Sequence, residues 1–292
     1  MAAKLTCIEN TDKVIAMKFP AYYVQHTNKQ IWLIHQFRQC YDLWGTEYQL
    51  LSNDPEGEKI RECIIHADNE LFSSQKAPIY TISPVVSKRL KEFNGFDSQY
   101  LCAPLNNPEL FYFKEYGDFV FYPSRVNHSK RQHIAIEAMR YVKTDVKLVI
   151  AGKGDTKEDE ELLHSLIDKY QLSSKVKYIC RFISEQEKAD LFASCLAAIY
   201  LPVQEDSYGY VTLEAFASQK TVITFSDSGG TNLVVKNDLT GIVTEPDPKE
   251  LAHAIDTLYN DRKKARELAM NAPLLLDKLG INWKTIIERL VK

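Results

Sequence analysis

The order of short apolar runs from about Asp118 onward limits what this chain can fold into more than any other feature. Runs at Phe119 to Tyr122, Val146 to Ala151, Val176 to Ile179, Ala198 to Leu201, Val222 to Phe225 and Ile242 to Val243 are separated by turns and helical stretches. They lack the polar alternation of a half-exposed strand, as expected when helices cover both faces of a parallel sheet. Leu162, Leu163, Leu166, Ile167 and Tyr170 form one apolar face at helical spacing. Ser184 and Glu187 have the spacing of a capping box, and Asp247-Pro248 places proline at a first helical position. Strands alternating with helices predict an α/β fold with a doubly wound parallel sheet, whose ligands lie beyond the carboxyl ends of the strands.

The first part is less regular. Strands are predicted at Val14 to Met17, Ile31 to Ile34, Ile79 to Ile82 and Tyr100 to Cys102, and a helix from Pro84 to a stop at Gly95. A length of 292 residues suits two domains. The expected division is 1–108, 109–275 and a final segment 276–292, with an Asn- and Pro-rich linker near Pro104 to Glu115 and an amphipathic helix over Ile281 to Val291. A net charge of -3 implies no steering toward nucleic acid. Neither a membrane-spanning run nor an apolar signal core is present, so a cytoplasmic protein is expected, with a peripheral membrane contact left open. The six cysteines form no CxxC pair, which argues for buried thiols and against a metal site.

Four constellations could carry chemistry. Asp206-Ser-Tyr208-Gly209-Tyr210-Val211-Thr-Leu-Glu214 follows an apolar strand, with two acids bracketing seven residues. A loop entering a helix offers backbone N–H donors for phosphates and sugar hydroxyls, and Glu214 could accept from two ribose hydroxyls. The plain alternative is that Asp206 caps a helix and Glu214 is a solvated acid in its first turn. Arg125 and Lys130 follow the Phe119 to Tyr122 strand and suit a diphosphate clamp, the alternative being a solvated basic loop. Ala151-Gly-Lys-Gly-Asp155 lacks the third glycine of a dinucleotide fingerprint and reads as a tight turn. His35 ends an apolar strand, where it could face a cleft or serve as a hydrogen-bonded structural residue.

Together these residues resemble the family-4 retaining glycosyltransferases of the GT-B fold, known as glycosyltransferase group 1, from about Val14 to the end of the chain. Arg125 and Lys130 match the family's diphosphate-binding pair, five residues apart. Glu214 matches the second acid of its E-x7-E pattern, which holds the ribose. Asp206 stands where the first glutamate faces the transferred sugar, and Glu205 is a neighbour that could compensate. Ser226-Asp-Ser-Gly229-Gly230 looks like the family's Gly-Gly turn, with Leu233 in place of the acid that follows. Trp32-Leu-Ile-His35-Gln36 looks like the strand whose histidine lies beside the donor sugar.

The resemblance implies two Rossmann-like domains, the N-terminal one lacking its first strand and glycine loop. It implies hexose transfer from a nucleoside diphosphate sugar of UDP or GDP type to a glycan or lipid-linked acceptor, with no further cofactor or metal. His35 and Asp206 would be catalytic. Arg125, Lys130, Glu205, Tyr208, Gly209, Tyr210, Val211 and Glu214 would bind substrate. The alternatives are half of a split transferase, completed by a second subunit or by self-association, and a non-catalytic nucleotide-sugar-binding subunit.

Overall fold

A computed structural model describes residues 2–291. They form two compact units: one runs to Ala103 and resumes at Ile281, and the other is Pro104–Gly280.

The first unit holds a parallel sheet of four strands in the order β1 (Val14–Lys18), β2 (Lys29–His35), β3 (Tyr80–Thr81) and β4 (Gln99–Tyr100). The third and fourth are two residues each, shorter than the apolar runs that predict them. Helix α1 (Pro55–Ser73) connects β2 to β3, and α2 (Pro84–Asn94) connects β3 to β4. Helix α2 has Ser83 as its N-cap and a left-handed Gly95 as its C-cap, as its sequence signals require. Ile31, Leu33, Phe72, Val86 and Leu90 form part of the core.

Helix α1 is the longest element and has no clear apolar stripe in sequence, because Asp68 lies on its buried face. That carboxylate is fully buried and accepts from three tyrosines: Tyr22 at 2.8 Å, Tyr41 at 2.5 Å, and Tyr23. Asn94 extends the network by donating to the Tyr41 hydroxyl at 3.3 Å and to Asn69 at 2.7 Å. Burial pushes the Asp68 carboxyl up from its usual range, while the tyrosine hydrogen bonds pull it back.

The second unit is a six-stranded parallel sheet made of β5 (Phe119–Pro123), β6 (Lys147–Ala151), β7 (Val176–Ile179), β8 (Ala197–Ile199), β9 (Thr221–Phe225) and β10 (Gly241–Thr244). The spatial order is β10-β9-β8-β5-β6-β7. The chain therefore moves outward from β5 through β6 to β7, then returns to place β8 on the other side of β5. Strand β5 pairs with both: Val120 faces Leu148 on one side and Ala197 on the other. The crevice between the carboxyl ends of β5 and β8 is the topological switch point where such sheets bind ligands.

Helices α3 (Gln132–Ala138), α4 (Lys157–Lys169), α5 (Glu185–Ser194), α6 (Tyr210–Ala217), α7 (Pro248–Asn260) and α8 (Arg262–Lys278) flank the sheet. Ser184 caps α5 as predicted, accepting from the Glu187 amide at 3.1 Å. The reciprocal half of the capping box does not form. The Glu187 carboxylate instead takes a bidentate pair from Arg181 at 2.7 and 2.9 Å. The last helix, α9 (Trp283–Val291), belongs to the first unit, with Ile286 and Leu290 in that unit's core.

The cysteines fit the sequence reading in part. Cys40, Cys102 and Cys195 are buried, Cys180 is half-buried, and Cys7 and Cys63 are exposed. No helix of the described residues is long and apolar enough to cross a membrane.

Candidate functional site

The segment leaving β5 is rigid because its own side chains close it. Asn127 caps a single turn over His128–Lys130, its Oδ1 accepting from the Lys130 amide at 3.0 Å and the Ser129 hydroxyl at 2.8 Å. The next residue, Arg131, is left-handed with φ 56° and 7% exposed. Its guanidinium donates to the carbonyls of Leu201 (2.7 Å) and Pro202 (2.9 Å) and forks onto Asp227 at 2.6 and 2.8 Å. One buried arginine thus ties together the loops that follow β5, β8 and β9.

Across the switch point, Lys130 from the β5 side meets Tyr200 from the β8 side. Its Nζ lies 3.0 Å from the Tyr200 hydroxyl and forms a close ion pair with Glu205. The side chains of Lys130 and Glu205 are 14% and 23% exposed, so the pair is largely shielded from water. Burial, reinforced by the Glu205 charge, pushes the Tyr200 hydroxyl well up from its ordinary range, so it stays a neutral donor, here to Glu205 at 3.0 Å.

Arg125 sits nearer solvent, with 62% of its side chain exposed. Its Nη1 donates to Asp155 Oδ1 at 2.7 Å, and Asn127 holds the other oxygen at 2.8 Å. Asp155 comes from the glycine turn after β6. That turn needs Gly152 because a Cβ there would lie 1.9 Å from the Ser124 carbonyl oxygen. The two loops are zipped by the Val126 amide to Lys153 and the Asp155 amide to Val126, both 2.9 Å.

The acidic loop rests on the Gly-Gly turn. The Gly230 amide donates to the Glu205 carbonyl at 2.8 Å, and a Cβ on Gly230 would lie 2.6 Å from the Ser207 carbonyl oxygen. We expect Gly230→Ala to displace this loop and lower stability by about 1 to 3 kcal/mol. A urea unfolding midpoint unchanged from wild type would show that the loop yields without cost.

Helix α6 begins at Tyr210, with Gly209 as its N-cap at φ 70°. A Cβ on Gly209 would lie 2.3 Å from the Tyr200 ring. The plain alternative fails here on both counts. Asp206 is not the cap of this helix, because the chain needs three more residues to turn at Gly209. Glu214 is neither solvated nor in the first turn; it lies in the second turn and is 5% exposed. Its Oε1 accepts from Lys188 of α5 at 2.6 Å. Burial pushes its carboxyl up from the usual range, against the pull of the Lys188 ammonium. Glu214, Lys188, Tyr210, Asn106, Asn107 and Phe111 are among the residues lining a cavity of about 330 Å³.

The fold thus gathers Lys130 with Glu205, fixes Arg125 through Asp155, and sets Gly209, Tyr210, Val211 and Glu214 on the start of α6. Tyr208 is buried and Asp206 half-buried in the loop before it. His35 ends β2 in the first unit, with its Nδ1 2.6 Å from the Gln36 carbonyl. Sequence reasoning missed Tyr200, Arg131, Asp155 and Lys188. Arg131 was visible as the residue after Lys130, but nothing in the sequence announced its left-handed backbone. Lys188 becomes informative when α5 and α6 are known to be adjacent.

Residues 111–274, more than half of the chain, match the family model for glycosyl transferases group 1. This chain belongs to that family. Among similar proteins, the alpha-1,3/1,6-mannosyltransferase ALG2 of Dictyostelium discoideum is 31% identical over 159 residues, covering 51% of this chain and 37% of that protein. A sucrose synthase of Melioribacter roseus is 25% identical over 192 residues, covering 58% of this chain and 23% of that protein. The chain therefore matches well under half the length of either relative. Among solved structures, sucrose-phosphate synthase from Thermosynechococcus elongatus superposes with a TM-score of 0.74 at 20% identity, over 94% of this chain and 70% of that one. Anabaena HepE in complex with UDP and glucose gives 0.70 at 19%, over 90% and 72%. Two parallel sheets with flanking helices agree with the α/β fold expected of this group.

Proposed function

We propose that the chain transfers a hexose, with retention of configuration, from a nucleoside diphosphate sugar to a glycan or lipid-linked acceptor, as a family-4 enzyme would. The observation that carries this reading is the meeting of Lys130 and Tyr200 over the β5/β8 switch point, beside Arg125 and the loop leading to Glu214. Support comes from the family match and from the UDP and UDP-glucose held by the HepE structures.

In the proposed reaction, Arg125, Lys130 and the opening amides of α6 hold the diphosphate, and Glu214 accepts from the ribose hydroxyls. The bond from the anomeric carbon to the phosphate oxygen breaks, and the bond to the acceptor oxygen forms on the same face. The departing phosphate oxygen takes the acceptor's proton, so no separate protein base is needed. Asp206 positions the sugar as positive charge develops on it, and the resemblance to the family gives His35 of the first unit a catalytic role as well. Asp206 is one methylene shorter than the glutamate it replaces, which favours a second reading: a subunit that binds the donor and lacks transfer activity of its own, or is completed by a partner.

Calorimetric titration with UDP, GDP and their sugar conjugates tests both. Binding of one of these, abolished by Glu214→Ala, is the expected result. Binding with no sugar released or transferred would favour the second reading. No binding of any nucleotide would overturn both.

A further inference from the structure

Glu214 is an awkward residue to entrust with a ribose. It is buried, and burial alone favours its neutral form, which accepts hydrogen bonds poorly and offers a proton where two acceptors are wanted. Its one close cation is Lys188, a turn into α5, whose side chain is itself 17% exposed. Among the described residues only Lys188 donates to this carboxylate, and it reaches Oε1, while Glu214 itself lines the cavity. The other charged group facing the pair is Glu185, which holds Lys188 at 3.0 Å but is 69% exposed. Tyr210, Asn106 and Asn107 on the cavity wall are uncharged.

We propose that Lys188 is a positioning residue, fixing the Glu214 carboxylate as the acceptor for the donor's ribose diol. The proposal rests on the donor-site reading above. A salt bridge that merely staples α5 to α6 would use the same contact, so the two roles must be separated by what they do to ligand binding. The stapling role damages every ligand contact alike and has no reason to depend on pH. The positioning role affects ligands that carry the diol, and increasingly so as pH falls and an unsupported buried carboxylate takes up a proton.

The test is calorimetric titration of wild type, Lys188→Met and Lys188→Arg with UDP, GDP, their 2′-deoxy forms and inorganic pyrophosphate. It would run from about pH 8 down to about pH 5.5, the direction in which a buried carboxylate that has lost its cation gains a proton. Because the terminal phosphate of these nucleotides itself takes up a proton near pH ~6, the readout is the ratio of ribonucleotide to 2′-deoxynucleotide affinity, which in wild type should stay nearly level across the range. In Lys188→Met it should fall as pH is lowered, by up to about tenfold for each pH unit below the carboxyl's own pKa. Pyrophosphate and the 2′-deoxy nucleotide should be nearly indifferent to the substitution, and Lys188→Arg should restore most of the binding.

Equal losses for pyrophosphate and ribonucleotide in Lys188→Met, or a ribonucleotide affinity that tracks wild type at every pH, would overturn the positioning role while leaving the donor site intact. Failure of wild type to bind any of these probes would remove the donor site itself, and this role with it.

Discussion

Replacing Arg125 by alanine should cut turnover by more than about a hundredfold while leaving the protein folded, the scale on which loss of a charge-stabilising donor acts on a transition state. The geometry separates the two effects. With 62% of its side chain exposed and one salt bridge to Asp155, Arg125 contributes little to stability. On the proposed donor site, its position at the mouth of the switch point would give it a large share of any diphosphate bound there. Lys130→Ala would be a less clean experiment, since it strands the shielded Glu205 carboxylate and loosens the loop as well. The rate of sugar transfer and a thermal unfolding curve on the same preparation decide the matter. A near-normal rate in a folded Arg125→Ala protein would remove the clamp from the mechanism.

Asp68→Ala should destabilise the first unit by about 3 to 5 kcal/mol, the range found when one member of a buried polar network is removed. Three tyrosine hydroxyls then lose their shared acceptor in a site without water access, and Asn94 loses the Tyr41 hydroxyl it orients on. Asp68→Asn keeps an acceptor oxygen and should cost markedly less. Urea unfolding followed by tryptophan fluorescence reports the first unit directly, as Trp32, Trp44 and Trp283 all lie in it. Equal midpoints for Asp68→Ala and wild type would mean the tyrosines find other partners.

How much of this was legible in the sequence depended on whether a signal was local. The six strands of the second sheet announce themselves because each is a short apolar run between turns, and fully covered strands have no other pattern to show. Helix α2 was legible from Ser83, Pro84 and Gly95, whose backbone preferences act within a few residues. Helix α1 was not, because its buried face carries Asp68, and a charge in that place becomes sensible only once three tyrosines from distant parts of the chain surround it. The site divides in the same way. Arg125, Lys130 and Glu214 lie in recognisable local spacing. Tyr200, Asp155 and Lys188 owe their roles to pairs 70, 30 and 26 residues apart, which no window of sequence contains.

Both cations of the proposed clamp already hold a carboxylate: Asp155 on Arg125 and Glu205 on Lys130. On the proposed reading, a diphosphate arriving there would not fill an electrostatic void. It would take the place of anions that belong to the protein, and those anions would take the place back when it leaves. Binding would then be an exchange of partners, with the displaced carboxylates still close by, so the attraction that draws the donor in would be moderated and the product diphosphate less firmly trapped. A site built in this way would favour repeated turnover over tight capture.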